Sequence, residues 1–163
     1  MIIMGIDPGL ATVGYGVIES HGMDMELLDY GTILTPAGMK LPRRLDILYT
    51  SMTALVEKFS PDAIAFEELF FAKNVTTGIN VAQARGVLLA AAYKKTNALY
   101  EYTPLQIKQA VVGYGRADKH QIQAMVMNIL KLSKIPRPDD AADAVAIAIC
   151  HAQTSINSAA FSI

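Results

Sequence analysis

Ile2, Ile3, Met4 and Ile6 form a short apolar run closed by Asp7-Pro8-Gly9, the pattern of a strand buried on both faces that delivers a carboxylate to a sheet edge. Gly5 lets another backbone or a ligand approach that strand, Pro8 removes a backbone donor, and Gly9 permits positive φ, so the strand ends in a turn. Thr12 to Glu19 reads as a second strand and Met25 to Leu34 as a third after the His21-Gly22 turn, both antiparallel by their close spacing. After a loop over Thr35 to Leu41, Pro42 opens a helix whose apolar residues Leu45, Leu48, Met52, Leu55, Val56 and Phe59 share one face, and it stops before Pro61. Asp62 to Phe66 gives a fourth strand, reached through a helix and so parallel to the first, and it ends in Glu67-Glu68.

An alanine-rich helix from about Thr77 to Lys95 is apolar on more than one side, which suits packing on the sheet and against a second subunit. Leu99 to Tyr102 is a fifth strand. Thr103-Pro104 caps a short helix that runs out near Gly113, Asp118 caps another from Lys119 to Leu132, and Asp139 caps the last, from Asp140 to about Gln153. The order predicts an α/β fold, a mixed five-stranded sheet flanked by helices. No repeat, low-complexity tract or linker interrupts the chain. Its 163 residues, 52% of them hydrophobic, suit one domain over 1–155, and the tail over 156–163 has no clear pattern and is open to disorder.

Composition narrows the setting. Gly86 to Tyr93 and Ala141 to Cys150 are apolar but too short to span a bilayer, and the N-terminus lacks the basic segment of a signal peptide. The lone Cys150, in an apolar helix, reads as a core residue of a cytoplasmic protein. The net charge of −1 hides an uneven distribution: −6 over residues 1–68, +8 over 69–138 and −3 over 139–163. A basic middle between acidic ends suits an enzyme that grips a polyanion and uses carboxylates to hold metal.

The acids define that chemistry. Asp7 after the first strand and Glu67 or Glu68 after the fourth should meet beyond the carboxyl ends of parallel strands. Asp143 sits on the apolar last helix and shares a face with Asp140 at i, i+3 and with Asp139 at i, i+4, so spacing leaves both of these pairs open. Buried like charges cost several kcal/mol each in effective terms unless a cation joins them or they stay protonated. An all-oxygen donor set favours Mg²⁺ or Mn²⁺ over Zn²⁺, and divalent metal beside a basic surface points to phosphoryl chemistry.

Gly5-Ile6-Asp7-Pro8-Gly9, Gly14-Tyr15-Gly16-Val17-Ile18, Glu67 with Phe70-Phe71-Ala72-Lys73-Asn74, Gln83-Ala84-Arg85-Gly86, Lys108-Gln109-Ala110-Val111-Val112-Gly113 and Asp140-Ala141-Ala142-Asp143-Ala144 together resemble the RuvC family of Holliday-junction resolvases, over nearly the whole chain. The resemblance implies an RNase H-like fold, a homodimer, paired Mg²⁺-dependent nicking of a four-way DNA junction in recombination and repair, and work beside a branch-migration motor complex (RuvAB). It implies two Mg²⁺ per subunit, replaceable by Mn²⁺, held by the catalytic acids Asp7, Glu67, Asp140 and Asp143, and so selects Glu67 over Glu68 and Asp140 over Asp139. Phe70 matches an aromatic placed against opened bases, where stacking is worth about 1–3 kcal/mol per base. Lys108 and Lys119 match basic residues near the site, and Lys73, Arg85 and Arg116 complete the implied DNA-binding set.

Three other readings compete. An actin-like kinase or ATPase shares the opening pattern but needs a second lobe and a second phosphate loop that this chain lacks. An RNase H-like nuclease acting on structured RNA, and a catalytically silent junction-binding scaffold, are the others. His21, His120 and His151 form no motif, although His151 lies two turns beyond Asp143.

Overall fold

The computed structural model describes residues 1–22, 24–69, 75–154 and 159–163, without the side chains of residues 75–77. Its elements run β1 (Ile2–Asp7), β2 (Thr12–His21), β3 (Asp24–Leu34), α1 (Leu41–Phe59), β4 (Ala63–Glu67), α2 (Val75–Tyr93), β5 (Leu99–Tyr102), α3 (Pro104–Val112), α4 (Lys119–Ile129) and α5 (Asp139–Thr154). One sheet in the order β3-β2-β1-β4-β5 holds all five strands, antiparallel through β3-β2-β1 and parallel through β1-β4-β5. The expected mixed sheet is therefore present, and the strand that opens the chain lies at its centre.

Period-two alternation divides the sheet into two cores. Met4 and Ile6 of β1 and Ile64 and Phe66 of β4 join Leu48, Met52 and Val56 of α1 and Ala84, Leu88 and Ala91 of α2. On the opposite face, Ile3 and Ala65 join Val145, Ile147 and Ile149 of α5 with Ile107 of α3 and Val126 of α4. Val145, Ile147 and Ile149 are at most 1% exposed, and full burial of each stabilises the fold by about 1.5–3 kcal/mol. Among the described residues no helix is long and apolar enough to cross a membrane.

Several boundaries differ from the pattern. Asp62 precedes β4, and its carboxylate accepts from the Ile2 amide at 2.7 Å, tying the start of β1 to that turn. Gly9 does not adopt positive φ, which among described glycines occurs at Gly22 and Gly113. It is required by crowding, since a Cβ there would lie 2.2 Å from the Thr12 carbonyl oxygen. α4 ends at Ile129, short of Leu132, where Lys131 turns at φ 53°. Thr103 and Asp118 both form complete capping boxes, with Gln106 and Gln121. Asp139 is not a cap. It lies inside the first turn of α5, and the Pro138 carbonyl accepts from Ala141 and Ala142. The C-terminal residues return to the sheet: Ser162 bridges Tyr100, the Ile163 amide donates to Leu99, and Phe161 packs 4.9 Å from Tyr102.

Candidate active site

β1 and β4 are parallel neighbours, with Gly5 beside Ala65 and Ile6 beside Phe66. Ile3, Gly5 and Asp7 share the α5 face of the sheet by alternation, as do Ala65 and Glu67, so both strands deliver their last side chain to the same corner. Glu68 falls out of step with that face and is exposed, so of the two glutamates it is Glu67 that turns towards Asp7.

α5 reaches this corner because glycine leaves room for its backbone. A Cβ on Gly5 would lie 2.0 Å from the Ala144 carbonyl oxygen and 2.6 Å from the Ala148 nitrogen, and one on Gly14 would lie 2.0 Å from the Asp140 carbonyl oxygen. Gly14 is the cross-strand partner of Asp7. The first turn of α5 therefore rests on Gly14 of β2, beside the end of β1, which brings Asp140 and Asp143 towards Asp7 and Glu67. The backbone that Gly5 was expected to admit is this helix.

Burial, and after it the acids' mutual charge, sets the electrostatics of this corner. Burial, then the charges of Glu67, Asp143 and Asp140, with a hydrogen bond shared with Glu67, push the Asp7 carboxyl up to about 8. Burial and Asp143 likewise raise Glu67, against the opposing pull of Asp7, Lys108 and Lys119. Asp143 is raised first by burial, while Lys119 works the other way. The Lys119 ammonium stands 3.0 Å from Asp143 Oδ2 and 3.3 Å from Asp139 Oδ2. Beside the acids lies a cavity of about 200 Å³, lined by Glu67, Lys108, Lys119 and Asp143 on its polar side and by Ile107, Ile122 and Ile147 on its apolar side.

Among the described residues no three His, Cys, Asp or Glu side chains are grouped tightly enough to hold a metal ion as they stand. The carboxylates stand in pairs: Asp7 shares a hydrogen bond with Glu67, and Asp143 is engaged by Lys119. Both contacts neutralise charge where the acids would otherwise repel. By donor chemistry the set still fits a hard divalent cation, whose charge would replace that shared proton and the ammonium.

The basic residues separate. Lys108 and Lys119 line the cavity. Arg116 is exposed in the loop between α3 and α4. Arg85 lies on the other face of the sheet, where its Nη2 donates to Glu101 at 2.5 Å and its buried Nε has no hydrogen-bond partner among the described residues. Phe70 and Lys73 lie outside the described residues. His151 turns away from the acids: it is 2% exposed, its Nδ1 sits 2.8 Å from the Tyr102 hydroxyl, and burial lowers its pKa to about 4. Cys150 is buried, with its thiol pushed up to about 12, which leaves it inert as a nucleophile. Two contributors were not legible in the sequence, Gln123 and Arg137, which both donate to Asp139 Oδ1. Gln123 is the polar residue on the otherwise apolar buried face of α4, and that was the available signal.

The sequence profile described as crossover junction endodeoxyribonuclease RuvC matches residues 3–151. A crossover junction endodeoxyribonuclease RuvC of Clostridioides difficile (strain 630) is 54% identical over 155 residues, covering 95% of this chain and 92% of that one. Among solved structures, T. thermophilus RuvC in complex with Holliday junction substrate superposes with a TM-score of 0.94 at 34% identity, covering 100% of this chain and 99% of that one. The yeast mitochondrial Holliday junction resolvase Ydc2 shares the fold with a TM-score of 0.69 at 15% identity, over 97% of this chain and 82% of that one.

Proposed function

This chain belongs to the RuvC family of crossover junction endodeoxyribonucleases, and from that premise we propose that it resolves four-way (Holliday) DNA junctions by paired, symmetric, metal-dependent nicks during recombination and repair. The observation that carries the reading is the convergence of Asp7 and Glu67, at the ends of adjacent parallel strands, with the Asp140 and Asp143 turn of α5 packed on Gly5 and Gly14; burial and the neighbouring acids raise the Asp7 carboxyl accordingly. Four carboxylates in one corner are costly as a structural device and effective as a cation trap. Asp7, Glu67, Asp140 and Asp143 would hold Mg²⁺, two ions per subunit in the fuller reading, with Mn²⁺ as a substitute. Bound metal would supply an activated water and neutralise charge at the leaving oxygen.

The chain's own residues do the rest. Lys108 and Lys119, at the rim, bind backbone phosphate and offset the negative charge that builds during cleavage. The apolar wall formed by Ile107, Ile122 and Ile147 limits water, so each of those charges counts for more than it would in bulk solvent. Arg116 adds an exposed phosphate contact, and Phe70 and Lys73 are assigned by family resemblance to the opened bases and backbone at the crossover. The side chain of Arg85, tied to Glu101, is 17% exposed, against 51% for Lys119.

Each chain carries one acidic corner, so symmetric cutting of two strands needs two copies related by a two-fold axis. We assign that contact to the outward face of α2, where Ile79 and Tyr93 are 52% and 67% exposed and Gln83, Gly86 and Ala90 lie between them without a charge. The resulting homodimer would act in the cytoplasm with a branch-migration motor complex (RuvAB). The deciding experiment is cleavage of a mobile four-way DNA junction beside the matching linear duplex, with Mg²⁺ or chelator, and with Asp7→Asn as control. Ligatable, symmetric nicks in the junction alone, absent with chelator and in the variant, are the expected result. Tight binding without cutting would favour the scaffold reading, and cutting of structured RNA in its place would favour the RNA nuclease.

A further inference from the structure

Asp139 divides its two oxygens between two tasks. Oδ1 accepts from Gln123 Nε2 at 3.1 Å and from Arg137 Nη1, while Oδ2 faces the Lys119 ammonium at 3.3 Å. Gln123 is 5% exposed on α4, so the amide that anchors Asp139 is itself fixed by packing. Lys119, by contrast, is a half-exposed side chain on the first residue of α4, long enough to swing into solvent. Asp139 and Asp143 are one helical turn apart on α5 and bracket its ammonium from both sides.

We propose that Asp139, oriented by Gln123, is a positioning residue that keeps the Lys119 ammonium at the rim of the acidic corner when Asp143 is committed elsewhere. The inference rests on the nuclease reading above. With Asp143 alone as partner, Lys119 would lose its anchor once that carboxylate engaged a cation, and the cation's charge would drive the ammonium out of the site. Asp139 sits outside the Asp7 and Glu67 pair and already spends its other oxygen on Gln123 and Arg137. It can therefore retain the ammonium where a phosphate would meet it. Outer residues that orient a charged group at a site contribute at about the tenfold level or above.

The test is a double-mutant cycle between Asp139→Asn and Lys119→Met, read by single-turnover junction cleavage and by junction binding without divalent metal. Asparagine leaves Gln123 an oxygen to bond, so folding is preserved. Asp139→Asn should slow cleavage about tenfold with junction affinity changed less than about twofold, and should add nothing in the Lys119→Met background. Gln123→Met should reproduce the same pattern in weaker form. Lys119 reactivity gives an independent readout: with saturating Mg²⁺ and no DNA, acetylation of that amine by an activated ester, followed by peptide mass spectrometry, should be several-fold faster in Asp139→Asn, and the difference should shrink in chelator, where Asp143 still holds the amine at 3.0 Å. Additive losses in the double variant, or unchanged cleavage and labelling in Asp139→Asn, would overturn the proposal. A wild-type protein that binds but never cuts junctions would overturn the nuclease reading instead, and the labelling experiment would still decide whether Asp139 positions Lys119.

Discussion

Replacing Asp7 by asparagine should stabilise the metal-free protein at high pH while abolishing cleavage. The sign follows from the raised carboxyl. An acid whose folded pKa lies above its unfolded value contributes stability that is complete below the unfolded value and is lost as pH rises through the folded one. For Asp7 those limits are 3.8 and about 8. Across that window the unfolded chain has released a proton that the folded chain retains, at about 1.4 kcal/mol per pH unit, giving about 6 kcal/mol as a ceiling. Rearrangement of the cluster and entry of water reduce this to about 2–4 kcal/mol at pH 9. Asparagine has nearly the same shape and no charge to desolvate. With chelator present, urea or thermal unfolding followed by circular dichroism should find the two proteins alike near pH 4 and the variant more stable at pH 9. At about 2–4 °C per kcal/mol for a chain of this size, the melting temperatures should differ by about 4–16 °C. Saturating Mg²⁺ should narrow or reverse the gap by stabilising wild type alone. A difference that does not change between pH 4 and 9, or a wild type more stable than the variant at pH 9 in chelator, would refute the argument that burial and like charge hold this carboxyl.

Gly5→Ala places a methyl 2.0 Å from the Ala144 carbonyl oxygen; it should destabilise the fold by about 1–3 kcal/mol or more and cut cleavage further by lifting α5 off β1, as chemical denaturation beside a junction assay would show. His151, neutral and buried with its pKa lowered to about 4, contributes stability that is present above its usual 6.5 and is lost as pH falls towards 4, so His151→Gln should flatten the unfolding profile between those values. Lys108→Ala should leave the melting temperature within about 1 °C, since exposed or half-buried polar surface changes are worth little, while slowing cleavage and reducing the salt slope of junction binding by about 0.9. Ala90→Glu, on the exposed face of α2, should give monomers in sedimentation velocity and lose paired nicking; an unchanged sedimentation coefficient would move the dimer contact elsewhere.

Much of the fold was legible because its signals are local. The apolar run Ile2 to Ile6 ending in Asp7-Pro8-Gly9, the one-sided helix opened by Pro42, and the caps at Thr103 and Asp118 each depend on residues within a few positions of one another. The same locality explains the errors. Asp139 looks like an N-cap when only the following apolar helix is considered, yet its partners Lys119 and Gln123 come from α4 and only packing brings them near. The tail over 156–163 carries no periodic pattern, and the contacts that Phe161 and Ser162 make with β5 are non-local in the same way.

The sequence by itself determined that two parallel strands end in acids and that a third acidic element lies on a buried helix. Strand alternation, a tertiary matter of which face the helix covers, decided that Glu67 and not Glu68 enters the corner. Close packing of α5 on Gly5 and Gly14 decided that Asp140 and Asp143 reach Asp7. His151, two turns further along the same helix, is carried past the corner to Tyr102. The chain can write charge and periodicity locally, but the distance between charges, and hence the raised carboxyl of Asp7, exists only once the helix lies on the sheet.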